Sequence, residues 1–346
     1  MQRPVTIVTG FLGSGKSTLL NRMLRAPQMA GAAVIINEFG TVPIDQVLVR
    51  SSIENLAVLD SGCICCTLRG DLVDTILDLE AGVARGDLPP FERVVIETTG
   101  LADAAPILAT LTTDTALVGR YALWSVIATL DATHAAGQLP RHEEARRQVA
   151  LASRLVLTKT DIAAPGTAAE AVAAARAINP GAPIDTVIGG AYAGDALFAA
   201  GARPDAARLR EWLAADAHAG HDHGPDVHDH DHQDDHHGHE AGLHGSTIRS
   251  HVLTLDEPID PERLRRFLVA VSSLRGRDLL RMKGVVNLAG CANPVVVQGV
   301  GQALYEPMLL DGWPDADRRT RIVFITEGVP AGAFDFAIGY LEGPAD

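Results

Sequence analysis

The sequence predicts an α/β fold in which a mostly parallel sheet is flanked by helices and a smaller α+β domain follows. Two observations predict this class. Short apolar runs alternate with helical patterns over residues 1–215, as expected when parallel strands are joined by helices that cover both faces of a sheet. A polar segment at residues 216–245 then separates this first domain from residues 246–346, where strand patterns outnumber helical ones.

The elements of the first domain follow from the spacing of apolar residues. Strands are predicted at Val5–Val8, Ala33–Ile36, Leu56–Leu59, Val94–Ile96, Leu123–Leu130 and Leu155–Leu157. Helices are predicted at Ser17–Arg25, Leu68–Arg85, Ala104–Leu111, Glu143–Ala152 and Ala168–Ile178. Ligands of such sheets bind at the carboxyl ends of the strands, so functional residues are expected there.

The second domain has four predicted strands and one predicted helix. The strands are expected at Ile248–Leu255, Val285–Leu288, Pro294–Val297 and Arg321–Phe324. The helix is expected at Pro261–Leu274, because Asp260 is a good N-cap and proline suits the first helical position.

The composition excludes several classes of protein. With 29 Lys and Arg against 43 Asp and Glu, the net charge is −14, which argues against a general nucleic-acid or anionic-membrane surface. Four cysteines in 346 residues exclude a disulfide scaffold. No apolar run reaches the about 18 residues of a membrane span, and no secretory signal is recognisable. A cytoplasmic protein is therefore expected.

The segment at residues 216–245 is predicted to be a disordered linker. Residues 216–244 contain eight acidic residues, no Lys or Arg, and ten of the 13 histidines of the chain. Several of these histidines alternate with Asp, namely His221, His223, His228, His230 and His232. They suit weak, auxiliary binding of Zn²⁺, Ni²⁺ or Co²⁺, or they are simply part of a solvated linker, and both interpretations stay open.

A phosphate-binding loop is predicted where the first strand meets the first helix. The segment from Gly10 to Ser17 matches G-x-x-x-x-G-K-S/T, with further backbone donors at Gly13, Ser14 and Gly15. Its N–H groups and the helix dipole favour a phosphate. Lys16, one of only three lysines, would reach the β- and γ-phosphates, and Ser17 would hold Mg²⁺.

The strand at Val94–Ile96 ends in a second candidate for the nucleotide site. Glu97 could hold Mg²⁺ directly or through water, and the N–H of Gly100 could meet the γ-phosphate. We therefore expect Lys16, Ser17 and Glu97 to be the catalytic residues. The alternative is a strand that ends in a solvated acid.

The strand at Leu155–Leu157 leads into Thr158, Lys159 and Asp161, a T-K-x-D element. In G proteins an N-K-x-D element occurs here, in which the carboxylate accepts both guanine donors and the lysine stem lies over the base. The element therefore favours GTP, although Thr158 replaces the usual Asn. The alternative is a surface strand end with an ordinary ion pair.

Three of the four cysteines form a cluster, with Cys63, Cys65 and Cys66 in four residues. Thiolates are soft ligands that suit Zn²⁺ or Cu⁺. Because this spacing is too tight for one strand face, we expect a loop around the metal and a fourth ligand from elsewhere. Buried apolar cysteines or a redox pair are the alternatives, and Cys291 is expected in the core.

The order of these motifs resembles that of the CobW-like GTPases, which include cobalamin-synthesis-associated members and zinc-transferring metallochaperones. The similar segments are Thr9 to Thr18, Asn37 to Gly40 with Asp45, Ser61 to Asp71, Glu97 to Asp103, and R-x-K-G from Arg281 to Gly284. The resemblance covers most of the chain. Departures are Thr158 for Asn, Thr41 and Pro43 for Glu and Gly, and Ala104 for Pro.

This resemblance implies a metal site and a reaction. Cys63, Cys65 and Cys66 would bind Zn²⁺ or Co²⁺, helped by Glu38, and Thr18 would belong to the GTP site. Slow GTP hydrolysis with Mg²⁺ would be coupled to metal handling.

The resulting hypothesis is a GTP-dependent metallochaperone whose C-terminal domain selects a client metalloprotein. The alternatives are a metal insertase for cobalamin synthesis or another metalloenzyme, including a nickel insertase, a P-loop phosphotransferase, and a passive zinc buffer. Phosphate transfer to a metabolite would favour the phosphotransferase, and absence of GTP turnover would favour the buffer.

Overall fold

A computed structural model describes most of both domains. It covers residues 2–24, 29–36, 48–50, 56–59, 64–67, 72–189, 248–273, 279–301, 303–305, 307–329 and 338–341. Glu38, Cys63 and the whole predicted linker, with its histidines at 221, 223, 228, 230 and 232, lie outside these residues. The structural statements that follow refer to the described residues, among which no helix is long and apolar enough to cross a membrane.

The first domain is built on a nine-stranded sheet. Its strands are β1 (Arg3–Gly10), β2 (Ala32–Ile36), β3 (Leu48–Arg50), β4 (Leu56–Leu59), β5 (Ile64–Thr67), β6 (Arg93–Glu97), β7 (Tyr121–Asp131), β8 (Arg154–Thr158) and β9 (Ile184–Val187). The order across the sheet is β3-β4-β5-β2-β6-β1-β7-β8-β9. Pairing is parallel from β5 to β9, and β3 and β4 form an antiparallel edge.

Helices cover both faces of this sheet. They are α1 (Lys16–Met23), α2 (Leu72–Arg85), α3 (Ala105–Thr113), α4 (Ala135–Gln138), α5 (Glu143–Leu151) and α6 (Thr167–Ile178). Successive residues of β1 supply different cores, because strand side chains alternate between faces. Val8 packs with Leu19 and Leu20 of α1, whereas Val5 packs with Ile76 of α2. The central strands are therefore buried on both sides, as the apolar runs predicted.

The second domain is a six-stranded antiparallel sheet with one long helix. Its elements are β10 (Ile248–Leu255), α7 (Pro261–Ser273), β11 (Leu279–Val286), β12 (Val295–Val300), β13 (Ala303–Leu304), β14 (Met308–Leu309) and β15 (Thr320–Glu327). Asp260 caps α7 as predicted, since its Oδ1 accepts a hydrogen bond of 2.8 Å from the N–H of Glu262. The helix packs on the sheet through an edge-to-face contact between Phe267 and Phe324.

The predicted fold class is confirmed. The predicted elements are found with shifts of a few residues at their ends, except that β11 begins at Leu279, six residues before the predicted start at Val285. The sequence did not predict β3, β5, β9, β13, β14 or α4, each of which has four residues or fewer. The outcome at β5 matters most, because its residues were expected to form a metal-binding loop. Cys65 and Cys66 instead pair in a strand between β4 and β2.

Candidate functional site

The loop between β1 and α1 has the backbone geometry of a phosphate cradle. Gly10 has φ of 139°, and a Cβ there would lie 2.6 Å from the carbonyl oxygen of Thr129 and 2.8 Å from Ser14 Oγ. Only glycine fits such a position. Gly15 is the N-cap of α1 and has φ of 93°. The first N–H groups of a helix have no partner within the helix, which makes this position suited to an anion.

Lys16 lies at the centre of this loop and is only 6% exposed. Its Nζ donates hydrogen bonds of 2.9 Å to the Gly10 carbonyl and 3.2 Å to the Phe11 carbonyl. The loop is fixed to β7 by a hydrogen bond of 2.6 Å between the hydroxyls of Ser14 and Thr129. The structure therefore holds an ammonium group inside the curl where a phosphate is predicted. Gly13 and Thr18 occupy exposed positions of the loop and of the first turn of α1.

Ser17 and Glu97 come together although 80 residues separate them. The Ser17 hydroxyl donates a hydrogen bond of 2.7 Å to Glu97 Oε1, and Glu97 is 2% exposed at the end of β6. A hydroxyl oxygen beside a carboxylate at the start of a helix is an all-oxygen donor set of the kind that Mg²⁺ prefers. The residues present therefore fit the predicted Mg²⁺ site.

The loop after β6 lies against the phosphate cradle. Thr98 donates a hydrogen bond of 2.9 Å from its hydroxyl to the Thr9 hydroxyl. A Cβ on Gly100 would lie 2.8 Å from the backbone nitrogen and Cα of Leu12, so glycine is required there. Gly100 is thus in backbone contact with the cradle, as a residue must be to approach the same ligand.

The T-K-x-D element is joined directly to the cradle. The Thr158 hydroxyl donates a hydrogen bond of 2.7 Å to the Ser14 carbonyl, so the unusual threonine ties β8 to the phosphate loop. Lys159 has φ of 59°, and its Nζ donates 2.8 Å to Asp131 Oδ2. Asp161 is exposed. All three predicted residues therefore lie at the carboxyl ends of the parallel strands, where the phosphate loop also lies.

Sequence reasoning missed Asp131, the partner of Lys159, which is 3% exposed at the end of β7. Burial raises the pKa of Asp131, but hydrogen bonds from Lys159 and Thr133 outweigh it and hold the pKa below its ordinary value. The carboxylate is therefore charged at neutral pH. A signal existed in the sequence, because Asp131 ends a long apolar run, as Thr158 does on the adjacent strand.

Two cysteines of the thiol cluster, Cys65 and Cys66, lie on the same sheet as the predicted nucleotide site. Cys66 of β5 is in register with Ile35 of β2, which is in register with Ile96 of β6, the residue before Glu97. Two strand spacings amount to about 9.6 Å. Among the described residues no group of three metal-ligating side chains is found, and Cys63 and Glu38 lie outside this part of the chain.

Replacing Asp161 by Asn tests the predicted guanine contact. We expect GTP affinity to fall about 10- to 100-fold, because an amide cannot accept from both guanine donors, as a bidentate contact requires. Xanthosine triphosphate, which has a carbonyl in place of the 2-amino group, should bind the variant better than GTP does. Competition against a fluorescent nucleotide measures both affinities.

The control for this substitution is Asp87→Asn, at an exposed aspartate that pairs only with Arg85 among the described contacts. It should leave both affinities unchanged. Equal GTP affinity in wild type and Asp161→Asn would show that the carboxylate does not read the base.

Two family descriptions match the chain, one for each domain. Residues 4–185 match the CobW/HypB/UreG nucleotide-binding domain. Residues 248–338 match the cobalamin synthesis protein cobW C-terminal domain. The two matches agree with the division between the two sheets.

Individual relatives agree with these matches. The chain is 35% identical over 326 residues, 94% of each chain, to the zinc chaperone YjiA of Escherichia coli strain K12. It is 31% identical over 166 residues to the zinc-regulated GTPase metalloprotein activator 1 of Schizosaccharomyces pombe, covering 46% of this chain and 39% of that protein.

A solved structure extends the likeness to the whole fold. The crystal structure of Zn(II)-bound YjiA GTPase from E. coli is 31% identical, covers 99% of each chain and gives a TM-score of 0.67. The resemblance drawn from the motifs is thus confirmed. The chain belongs to the CobW/HypB/UreG family and carries the CobW C-terminal domain.

Proposed function

We propose that this protein is a GTP-dependent metallochaperone that binds zinc at Cys63, Cys65 and Cys66 and transfers it to a client metalloprotein. That the chain is a GTPase follows from its family and from relatives named GTPases. Relatives named zinc chaperones support zinc as the cargo. Thiolates would accept cobalt through the same ligands. A reducing cytoplasm would keep these thiols available.

The observation that carries the proposal is the register of the sheet. Thr67, next to Cys66, is in register with Ile36, and Ile36 is in register with Glu97. The strand that carries Cys65 and Cys66, β5, therefore ends level with Glu97, the proposed Mg²⁺ ligand, across the sheet. Glu38 follows two residues after the end of β2, which lies between these strands. The same sheet edge would therefore carry the cargo site and the nucleotide site.

The described residues support hydrolysis by positioning and by charge. Lys16 and the N–H groups of the cradle would neutralise the β- and γ-phosphates. Ser17 and Glu97 would hold Mg²⁺, which when bound supplies positive charge at the phosphate oxygens. A water oxygen bonds to the γ-phosphorus, the bond from that phosphorus to the bridging oxygen breaks, and GDP and phosphate leave.

Loss of the γ-phosphate would then change metal affinity. Hydrolysis releases a loop that the γ-phosphate holds through Gly100. Glu97, the last residue of the strand before this loop, is in register with Ile36, which is in register with Thr67 beside Cys66. A 100-fold change of zinc affinity needs only about 2.7 kcal/mol. A contact that exists in one nucleotide state and not in the other can supply this free energy.

A competitive zinc titration of the reduced, metal-free protein tests the proposal. It is performed with Mg-GDP and then with a non-hydrolysable Mg-GTP analogue, in wild type and in a variant with Cys63, Cys65 and Cys66 replaced by Ser. We expect the analogue to shift zinc affinity at least about tenfold, or about 1.4 kcal/mol. The triple variant should lose the tight site. Cys291→Ser, at the thiol of the second domain, is the matched control and should keep it.

Two outcomes would contradict the proposal. Equal zinc affinity with GDP and with the analogue would remove the coupling. Tight binding that survives the triple variant, and disappears when the histidines at 221, 223, 228, 230 and 232 are replaced, would assign zinc to the linker. The phosphotransferase would then be the next candidate, and transfer of phosphate to a small molecule would identify it.

A further inference from the structure

We infer that two neighbouring residues of α5, Gln148 and Arg147, are positioning residues that link the loop after β6 to the C-terminal domain. Through them the docking of that domain would control how the loop meets the γ-phosphate. The inference rests on the contact between Gly100 and the γ-phosphate in the proposed function. It concerns residues that no motif in the sequence identified.

Gln148 holds the loop from inside the protein. It is 1% exposed, and its Nε2 donates hydrogen bonds of 3.2 Å to the Gly100 carbonyl and 3.1 Å to the Ala102 carbonyl. Both amide donors are therefore used on two peptide groups of one loop. Its Oε1 has no partner among the described residues, and the side chain lines a cavity of about 10 Å³, room for about one water. The loop is thus held at two carbonyls that follow the proposed γ-phosphate contact.

Arg147 joins the end of the same loop to the second domain. Its Nη1 donates 2.9 Å to Asp103 Oδ2, and its Nε donates 2.8 Å to Glu327 Oε2, which also accepts from Nη2. Glu327 is 7% exposed at the end of β15. Hydrogen bonding to Glu327 raises the pKa of Arg147 further, so the guanidinium stays charged at every physiological pH. One guanidinium therefore contacts both the loop and the C-terminal domain.

Asp103 also fixes the start of α3. Its Oδ1 accepts a hydrogen bond of 2.9 Å from the N–H of Ala105, while its other oxygen takes Arg147. The adjacent Ala104 is fully buried in an apolar cluster with Leu280 and Ile325 of the second domain. Ala104, which replaces the proline usual in this family, therefore lies at the interface between the two domains. The end of the loop therefore reaches the C-terminal domain directly through Ala104 and indirectly through Arg147.

The C-terminal end of α5 is also held by the second domain. Arg281 of β11 donates a hydrogen bond of 2.9 Å to the Leu151 carbonyl at the last residue of the helix. A cation at a helix C-terminus interacts favourably with the helix dipole. Burial lowers the pKa of Arg281 to about 10, which leaves it charged at neutral pH. This gives a structural role to the first residue of the R-x-K-G segment.

Through these contacts α5 connects the loop after β6 to the C-terminal domain, and this connection has a thermodynamic consequence. If the docked domain favours the loop position that meets the γ-phosphate, the γ-phosphate must favour docking by the same factor. Weakening the link should therefore reduce binding of the triphosphate but not of the diphosphate, because GDP makes no contact with Gly100. This difference separates positioning from a general loss of stability.

The test uses the full-length protein without added zinc. Affinities for Mg-GDP and for a non-hydrolysable Mg-GTP analogue, with kcat and KM for GTP, are measured for Gln148→Met, Arg147→Met, Arg147→Lys and Glu327→Gln. We expect Gln148→Met, Arg147→Met and Glu327→Gln to lower analogue affinity and kcat about 5- to 10-fold. GDP affinity should stay within about twofold of wild type.

Arg147→Lys keeps a cation between Asp103 and Glu327 and should lose less than Arg147→Met. The double variant Arg147→Met with Glu327→Gln should lose little more than either single change, because both changes remove the same contact. The control is Asp185→Asn, which breaks the ion pair with Arg154 elsewhere in the first domain and should change neither nucleotide affinity.

Three results would overturn the inference. These are unchanged analogue affinity in all variants, an equal loss of analogue and GDP affinity, and losses that multiply in the double variant of Arg147 and Glu327. If wild type itself binds GDP and the analogue alike, the proposed contact with the γ-phosphate fails as well. The nucleotide affinities are measured without zinc, so a zinc titration that contradicts the proposed function would not by itself contradict this inference.

Discussion

Replacing Lys16 by Met is expected to lower the rate of GTP hydrolysis by about 10³-fold, the largest effect we predict. Lys16 carries the buried ammonium of the phosphate loop, where it is held by two carbonyls of the loop itself. Methionine keeps the length and the apolar stem but removes the charge. The developing charge on the phosphates then loses its most direct partner, and the loop loses the donor to the Gly10 and Phe11 carbonyls.

The measurement is single-turnover hydrolysis at saturating protein, together with thermal unfolding. Arg22→Met is the matched control, because it removes an exposed cation from the same helix and should leave hydrolysis unchanged. Lys16→Arg should also be inactive, since a planar guanidinium does not fit the space of a compact ammonium. Activity within tenfold of wild type in Lys16→Met would remove this lysine from the reaction.

Residues that are close along the chain could be predicted from the sequence. The cradle from Gly10 to Ser17 is a local structure, because its glycines, its strand and its helix are consecutive. Its geometry, including the positive φ of Gly15, therefore follows from the local pattern alone. Glu97 and Thr158 could be placed because each ends an apolar strand, and parallel strands end at one edge of the sheet.

Contacts between distant residues could not be predicted in this way. Arg147 meets Glu327 across 180 residues, and no local pattern marks either residue as a partner of the other. Gln148 lies on a helix whose sequence indicates only which face is apolar. The partner of Lys159 was missed for the same reason, since Asp131 is 28 residues away. Tertiary packing determines these pairs.

The strand β5 shows a different reason for failure. Ile64–Thr67 is a four-residue segment that contains two of the three clustered cysteines, and the cluster favoured a loop around a metal. Two cysteines nevertheless pair in register with β2 and β4, because a short strand between two others gains backbone hydrogen bonds on both sides. The chemistry of the residues and the backbone conformation are separate properties. The backbone conformation was predicted wrongly here, and metal binding by the thiols stays a prediction.

Replacing Glu97 by Gln is expected to lower kcat by about 10²-fold and to raise the Mg²⁺ concentration needed for half-maximal activity. Glutamine has the same shape, and its Oε1 can still accept the hydrogen bond from Ser17. The negative charge that would hold Mg²⁺ is lost. Glu97 is almost fully buried, so thermal unfolding of the variant is measured alongside activity. An unfolding temperature close to that of wild type would show that the loss of activity does not come from unfolding.

Titration of hydrolysis with Mg²⁺ makes this test specific. Glu92→Gln, at an exposed glutamate one residue before β6, is the control and should retain the wild-type Mg²⁺ dependence. An unchanged Mg²⁺ dependence in Glu97→Gln would show that the carboxylate does not hold the ion.

Ser17→Ala tests the other proposed ligand of the same ion. If Ser17 and Glu97 serve one ion, the double variant should lose much less than the product of the two single losses, because the second change removes a ligand from a site that is already weak. Multiplicative losses would instead mean that the two oxygens act independently, and the hydrogen bond between them would then be only structural.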